Sequence, residues 1–214
     1  MLHLRLKQPR EAVADFSEAI THDENNPKHY QNRMTAYSAL GMDDNVQADR
    51  SRIEWLLKLG QINNIVAQAP QKPEGYIQRA SHLAEAGKHE VALVNYEQAI
   101  KVASGRATPW TSRAKYWLQQ GDFTKAIADA TKAIETEFSH PALSIRGDAY
   151  LKQGDFDKAI ADFTAAKRLD PGVAQAYYQR ALQWDEYCWE KYREQLEQIR
   201  QDLSGSSWIM GAQG

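Results

Sequence analysis

Gly87, Gly121 and Gly154 stand 34 and then 33 residues apart, and the text after the last two nearly repeats. Gly121-Asp-Phe-Thr-Lys-Ala-Ile-Ala-Asp-Ala-Thr-Lys-Ala133 is matched by Gly154-Asp-Phe-Asp-Lys-Ala-Ile-Ala-Asp-Phe-Thr-Ala-Ala166. A period of this length constrains the fold more than any composition value. One such unit is too short to bury its own apolar face, so neighbours must stack into a solenoid. A solenoid presents a surface for holding something more readily than a cavity for chemistry.

The unit 140–173 shows how each segment forms. Leu143, Arg146, Gly147 and Tyr150 fall on one stripe of a first helix. Gly154-Asp155 makes the turn, because glycine suits the left-handed position that ends a helix. A second helix carries Ala159, Ile160, Phe163 and Ala166 at helical spacing. Leu169-Asp170-Pro171 closes the unit, since proline cannot continue the hydrogen-bond ladder.

Small residues recur where paired helices must approach. They are Ala80, Ala114, Gly147 and Ala181 on first helices, and Ala12, Ala92, Ala126 and Ala159 on second helices. Bulky places hold Tyr30, Tyr76, Trp110, Leu143 and Tyr177, then Tyr37, Leu83, Trp117, Tyr150 and Trp184. Phe16, Tyr96 and Phe163 supply a second-helix knob. This pattern resembles the tetratricopeptide repeat over most of the chain. The resemblance implies an all-α fold, a right-handed superhelical α-solenoid of antiparallel helix pairs with a long C-terminal capping helix. It also implies first helices that line a concave face.

The expected layout is a single solenoid over residues 1–203. Its units are a partial one at 1–26, then 27–60, 73–106, 107–139 and 140–173, with a cap at 174–203. Residues 61–72 interrupt the pattern, read as a lengthened helix over Asp44–Leu59 followed by a short helical turn at Ile62–Ala69. From Ala174, Tyr177, Ala181, Trp184, Cys188, Tyr192, Leu196, Ile199 and Leu203 make one apolar stripe without glycine or proline. They predict one long helix of about 40 Å, whose first half caps the stack. Residues 204–214, with Trp208-Ile209-Met210, read as a flexible tail.

Several function classes lose support at this stage. A formal net charge of −2 gives no electrostatic case for nucleic acid. No stretch is apolar enough to span a membrane. With no secretory signal in Met1–Lys7, the expected location is cytoplasmic, or periplasmic if a leader was removed. Cys188 is the only cysteine and is expected to be a buried thiol. His82 and His89 lie near Glu85 and Glu90, but the Gly87 turn separates the histidines, and no metal site is expected. No cofactor motif and no catalytic constellation appears, so the chain is not expected to be an enzyme.

Arg33, Arg79, Arg113, Arg146 and Arg180 recur just before the small residue. Acids recur on second helices at Asp15, Asp49, Asp129 and Asp162, with Asn95 at the equivalent place. An arginine ladder for anions would not need those acids, so internal Arg–Asp pairing is the expected role. Trp110, Trp117 and Trp184 occupy core places; Trp55, Trp189 and Trp208 do not, and are candidates for contact.

The resemblance places a partner-binding surface on the first helices. Its candidates are Gln31, Asn32 and Thr35; Ile77, Gln78 and Ser81; Thr111 and Lys115; Ser144 and Asp148; and Tyr178 and Leu182. The surface is polar and mixed in sign, suited to an extended peptide or a partner helix. The Lys/Asn clamp for acidic chaperone tails and the asparagine ladder of sugar-transferring repeat enzymes, both known in this family, are missing. The expected function is a non-catalytic scaffold for a protein or peptide. The alternatives are self-association through the N-terminal partial unit or the C-terminal helix, and service as the regulatory arm of a larger enzyme.

Overall fold

A computed structural model describes residues 8–206, and all its regular elements among those residues are helices. In chain order they are α1 (Pro9–His22), α2 (Pro27–Ala39), α3 (Asp43–Gln68), α4 (Pro73–Glu85) and α5 (His89–Val102). Then follow α6 (Ala107–Gln119), α7 (Phe123–Thr136), α8 (His140–Gln153), α9 (Phe156–Ala165) and α10 (Pro171–Ser206). The chain divides into two compact units, Met1–Ala103 with α1–α5 and Ser104–Gly214 with α6–α10. Among the described residues no helix is long and apolar enough to cross a membrane.

The expected turns are present. Gly41, Gly87, Gly121 and Gly154 all have positive φ. At Gly154, φ is 82°, the left-handed geometry in which a side chain would be strained. The Asp155 N–H donates to the Tyr150 carbonyl at 3.0 Å, and the Gly154 N–H to Leu151 at 3.2 Å. Together these satisfy carbonyls that the helix end leaves open. Proline starts the other ends, sitting in the first turn of α1, α2, α4 and α8, where its missing N–H costs nothing.

Asp122 and Asp155 cap α7 and α9 by accepting the Lys125 and Lys158 backbone N–H groups. The Asp155 carboxyl lies below the ordinary aspartate range because the Lys158 side chain hydrogen-bonds its charged form. A lowered folded-state value means this cap contributes above the ordinary aspartate range and is lost as pH falls through the lowered value. Asp155→Ala is expected to cost about 1 kcal/mol. Thermal melts should show that deficit at neutral pH and a smaller one in strong acid.

In unit 1, α3 packs on both α2 and α4. Here the structure departs from expectation: α3 runs unbroken through Gly60, and the separate turn expected at Ile62–Ala69 is its continuation. Glycine inside a helix costs about 1 kcal/mol. Packing offsets that cost, because Leu56, Ile62 and Val66 are all buried. Val66 joins Tyr76 and Ala99 in a shared cluster. Gly75 permits the approach, since a Cβ there would lie 3.0 Å from a Val66 methyl.

Unit 2 follows the repeat more closely. Its α9 core is Ala159, Ile160 and Phe163 with Ala176 from α10, flanked by Tyr150, Leu151 and Val173. Phe163 is wholly buried. A Cβ at Gly147 would stand 2.6 Å from its ring, so only glycine lets α8 and α9 come this close.

The long C-terminal helix is present, but its apolar stripe is not covered. Val173 and Ala176 cap α9. Beyond them Tyr177 is 46% exposed and Trp184 63%, and Ala181 and Cys188 are also exposed. The expected core role of Trp184 and the buried Cys188 thiol are therefore corrected. The repeat pattern assumes that a second helix returns over this face, whereas α10 continues straight to Ser206. The Ile199 and Leu203 side chains and the Trp208 triplet lie outside the described residues.

Candidate functional site

The arginine–acid series is structural. The Arg33 guanidinium donates to Asp49 at 2.6 and 3.0 Å, Arg113 to Asp129 at 2.7 and 2.8 Å, and Arg146 to both Asp162 oxygens at 2.8 Å. Arg79 makes the neutral version, donating to Asn95 at 2.5 Å. All four pairs span sixteen residues, from the middle of a first helix to the middle of the next. Each arginine is thus occupied and presents no ladder for anions. Hydrogen bonding to Asp49 and Asp162 raises the Arg33 and Arg146 guanidinium values further above their ordinary range.

The expected binding residues separate into local groups. Gln31, Asn32 and Thr35 share α2, with the Thr35 hydroxyl turned onto the Gln31 carbonyl at 3.0 Å. Thr111 behaves likewise, donating to Ala107 at 2.9 Å. Lys115 is exposed on α6, and Ser144 half-buried on α8. Asp148 is engaged by Arg168 at 2.6 Å, which leaves it less free for a partner. Tyr178 and Leu182 are exposed on α10.

Ile77, Gln78 and Ser81 are brought together in a cleft of about 390 Å³ between α3 and α4. Lys58, Gln61, Ile62 and Ile65 form the α3 wall; His82 and Glu85 complete the α4 wall. The α3 wall exists only because that helix runs past Gly60. Its residues recur at steps of 3, 1 and 3, the same signature as a first-helix stripe, and this spacing is the signal that the sequence offers.

His82 anchors the cleft from below. It is 4% exposed, and its Nε2 lies 3.0 Å from the Trp55 carbonyl. A carbonyl only accepts, so Nε2 carries the proton and Nδ1 is left as an acceptor. That Nδ1 and the Trp55 Nε1–H are both buried without a partner among the described residues. The two rings stack at 4.9 Å with an 18° interplanar angle. The Arg52 guanidinium lies over the Trp55 ring at 4.6 Å. Trp55, a contact candidate from the sequence, therefore holds α3 against α4.

The cleft offers two carboxamides, an aliphatic floor, one cation and one anion. Its lining pairs no nucleophile with a base. Among the described residues no three His, Cys, Asp or Glu side chains are placed to hold a metal. A second depression of about 430 Å³ lies where α6 and α8 begin, and contains Thr111, Phe138, His140 and Pro141. The hydroxyls of Thr111 and Ser112 are already spent on their own helix. A third, of about 460 Å³, is lined by α3, α4 and α5, but its only charged group is Arg79, which is held by Asn95.

A family model described as tetratricopeptide repeat matches residues 140–173, and a second of the same description matches 77–141. Residues 77–173 carry tetratricopeptide repeats. The matched residues run from α4 into the start of α10, so α1–α3 and most of α10 lie outside the matches. No curated protein sequence matches the chain. Among solved structures, the thermophilic tetratricopeptide-repeat protein TTC0263 of Thermus thermophilus is 20% identical, with 79% of this chain and 87% of that one covered and a TM-score of 0.46. MamA from Desulfovibrio magneticus RS-1 is 18% identical, covering 77% and 86%, with a TM-score of 0.44. Yeast Tom70 is 19% identical, covering 81% of this chain but 44% of its own, with a TM-score of 0.49. Tetratricopeptide repeats are an interaction fold, and protein partners follow from it.

Proposed function

We propose that this chain is a non-catalytic scaffold that holds an extended peptide segment of a partner protein, with the α3–α4 cleft as the principal contact. The supporting observation is that Gln61 and Gln78 line the same cleft as Ile62, Ile65 and Ile77. A carboxamide carries both a donor and an acceptor, which matches the peptide unit itself. An aliphatic side chain of the ligand would bury against the isoleucines while its main chain bonds to the amides. Lys58 and Glu85 then favour a ligand with charges of both signs over a uniformly acidic tail. The other first-helix candidates, from Gln31 to Leu182, would extend this contact through weaker polar interactions.

Peptides selected from a random display library against the whole chain supply the probe. Calorimetric titration is expected to give binding that Gln78→Ala with Gln61→Ala weakens at least about tenfold, equivalent to about 1.4 kcal/mol. Both side chains line the open cleft, so the helical circular-dichroism signal should persist. Selected peptides that ignore this double variant would move the site to another surface.

A further inference from the structure

We propose that α10 of one copy receives α1 of a second copy on the exposed face that a second helix covers in the other repeats, so that the chain associates head to tail through a composite repeat. This goes beyond peptide capture in the α3–α4 cleft and involves none of its residues.

Arg180 occupies the place held by Arg113 and Arg146, but the residue sixteen positions on is Leu196. Its Nη1 reaches Asp157 at 3.1 Å, on a carboxylate side chain that is 75% exposed. The Nε and Nη2 atoms, which hold the carboxylate in the other units, take no partner among the described residues. Beside it, Tyr177, Ala181 and Trp184 present the bulky, small, bulky face that receives a second helix in the repeats, and all three are exposed.

The complementary pattern sits on α1. Ala12, Asp15, Phe16 and Ala19 reproduce the spacing of Ala159, Asp162 and Phe163 on α9 and Ala166 just past its end. In α9 the first three of those are buried. In α1 no residue is buried, and Asp15 is exposed. Laid on α10 in the register of α5 on α4, where Arg79 bonds Asn95, Asp15 meets Arg180 and Phe16 meets Ala181. In this antiparallel pairing Ala12 falls against Trp184 and Ala19 against Tyr177. The charges are complementary, and the aromatic knob meets an alanine, as Tyr96 of α5 does opposite Ala80 of α4 in the repeat frame. Different faces of the two copies join, so growth is not limited to a pair unless a ring closes.

Light scattering on the whole chain, from micromolar to millimolar concentration, tests the assembly. The unmodified chain is expected to grow in mass beyond two copies. Arg180→Asp and Asp15→Arg should each weaken association at least tenfold, by setting like charges opposite one another. Mixing these two variants should restore it, because each carries the complement of the other. Trp184→Glu, at a solvent-exposed side chain, should leave the thermal melt unchanged and abolish growth. A strict monomer at millimolar concentration overturns the proposal. A dimer that stops at two copies and ignores Asp15→Arg also overturns it, and would mean that α10 pairs with itself.

Discussion

Phe163→Ala is expected to cost about 3–5 kcal/mol, the range for truncating a fully buried aromatic side chain. Phe163 is the largest wholly buried side chain in the chain's described residues, with 0% exposure. It touches the α9 and α10 cluster of Ala159, Ile160 and Ala176, and its ring lies against the backbone of Gly147. Ala159, Ala176 and Gly147 have no side chain to extend into the vacancy, which limits how far the site can collapse. The Arg168 guanidinium, 4.6 Å from the ring centroid, loses its aromatic contact as well. Urea titration followed by circular dichroism measures the loss. Phe138→Ala, at a side chain 65% exposed, should stay within about 0.5 kcal/mol. A loss below about 1 kcal/mol at Phe163 would mean that α8 and α9 do not depend on this knob.

The same locus shows why so much of the fold is readable from the residues alone. Gly147 and Phe163 announce one another: at the close approach of α8 and α9, the knob needs a facing position without a Cβ. The Gly-Asp turns at 121 and 154 likewise state a left-handed residue followed by an N-cap. These are local rules, satisfied within one helix pair, and local rules repeat visibly in a sequence. The failures share a different cause. Gly60 and the polar run Gln61, Asn63 and Asn64 look like an ending, yet Val66 is held by Tyr76 and Ala99 from later helices. Trp184 sits at a core place in the repeat frame and Cys188 on the same apolar stripe, but neither pattern can say whether a helix returns to cover them.

The candidate site divides along the same line. Ile77, Gln78 and Ser81 follow from the repeat frame, since first-helix positions point the same way in each unit. The facing wall of Lys58, Gln61, Ile62 and Ile65 depends on α3 continuing, so one misread boundary hides half of the cleft. Asp148 reads as a partner contact because its place in the helix is outward. Arg168, twenty residues further on, closes on it at 2.6 Å. Nothing in the spacing of Asp148 distinguishes an outward carboxylate from one that a later loop has neutralised.

The arginine–acid pairs allow a sharper test of what stacking requires. Asp162→Ala is expected to cost about 3 kcal/mol, because it leaves the Arg146 guanidinium unpaired where its side chain is only 21% exposed. Arg146 also donates through Nη1 to Thr131 at 3.2 Å, so one cation ties α7, α8 and α9. Replacing both partners together, as Arg146→Met with Asp162→Leu, removes the desolvation cost along with the bond. That double variant should recover most of the loss, to within about 1 kcal/mol of the parent. Raising pH should not imitate the single variant: the hydrogen bond to Asp162 raises the Arg146 value above its ordinary range, so the cation persists wherever the fold does. Urea midpoints for the parent, the two singles and the double complete the cycle. If the double variant is as weak as Asp162→Ala, the pair supplies stability outright. Recovery instead means that its role is to fix which helix faces which, with the recurring small residues and aromatic knobs carrying the energy.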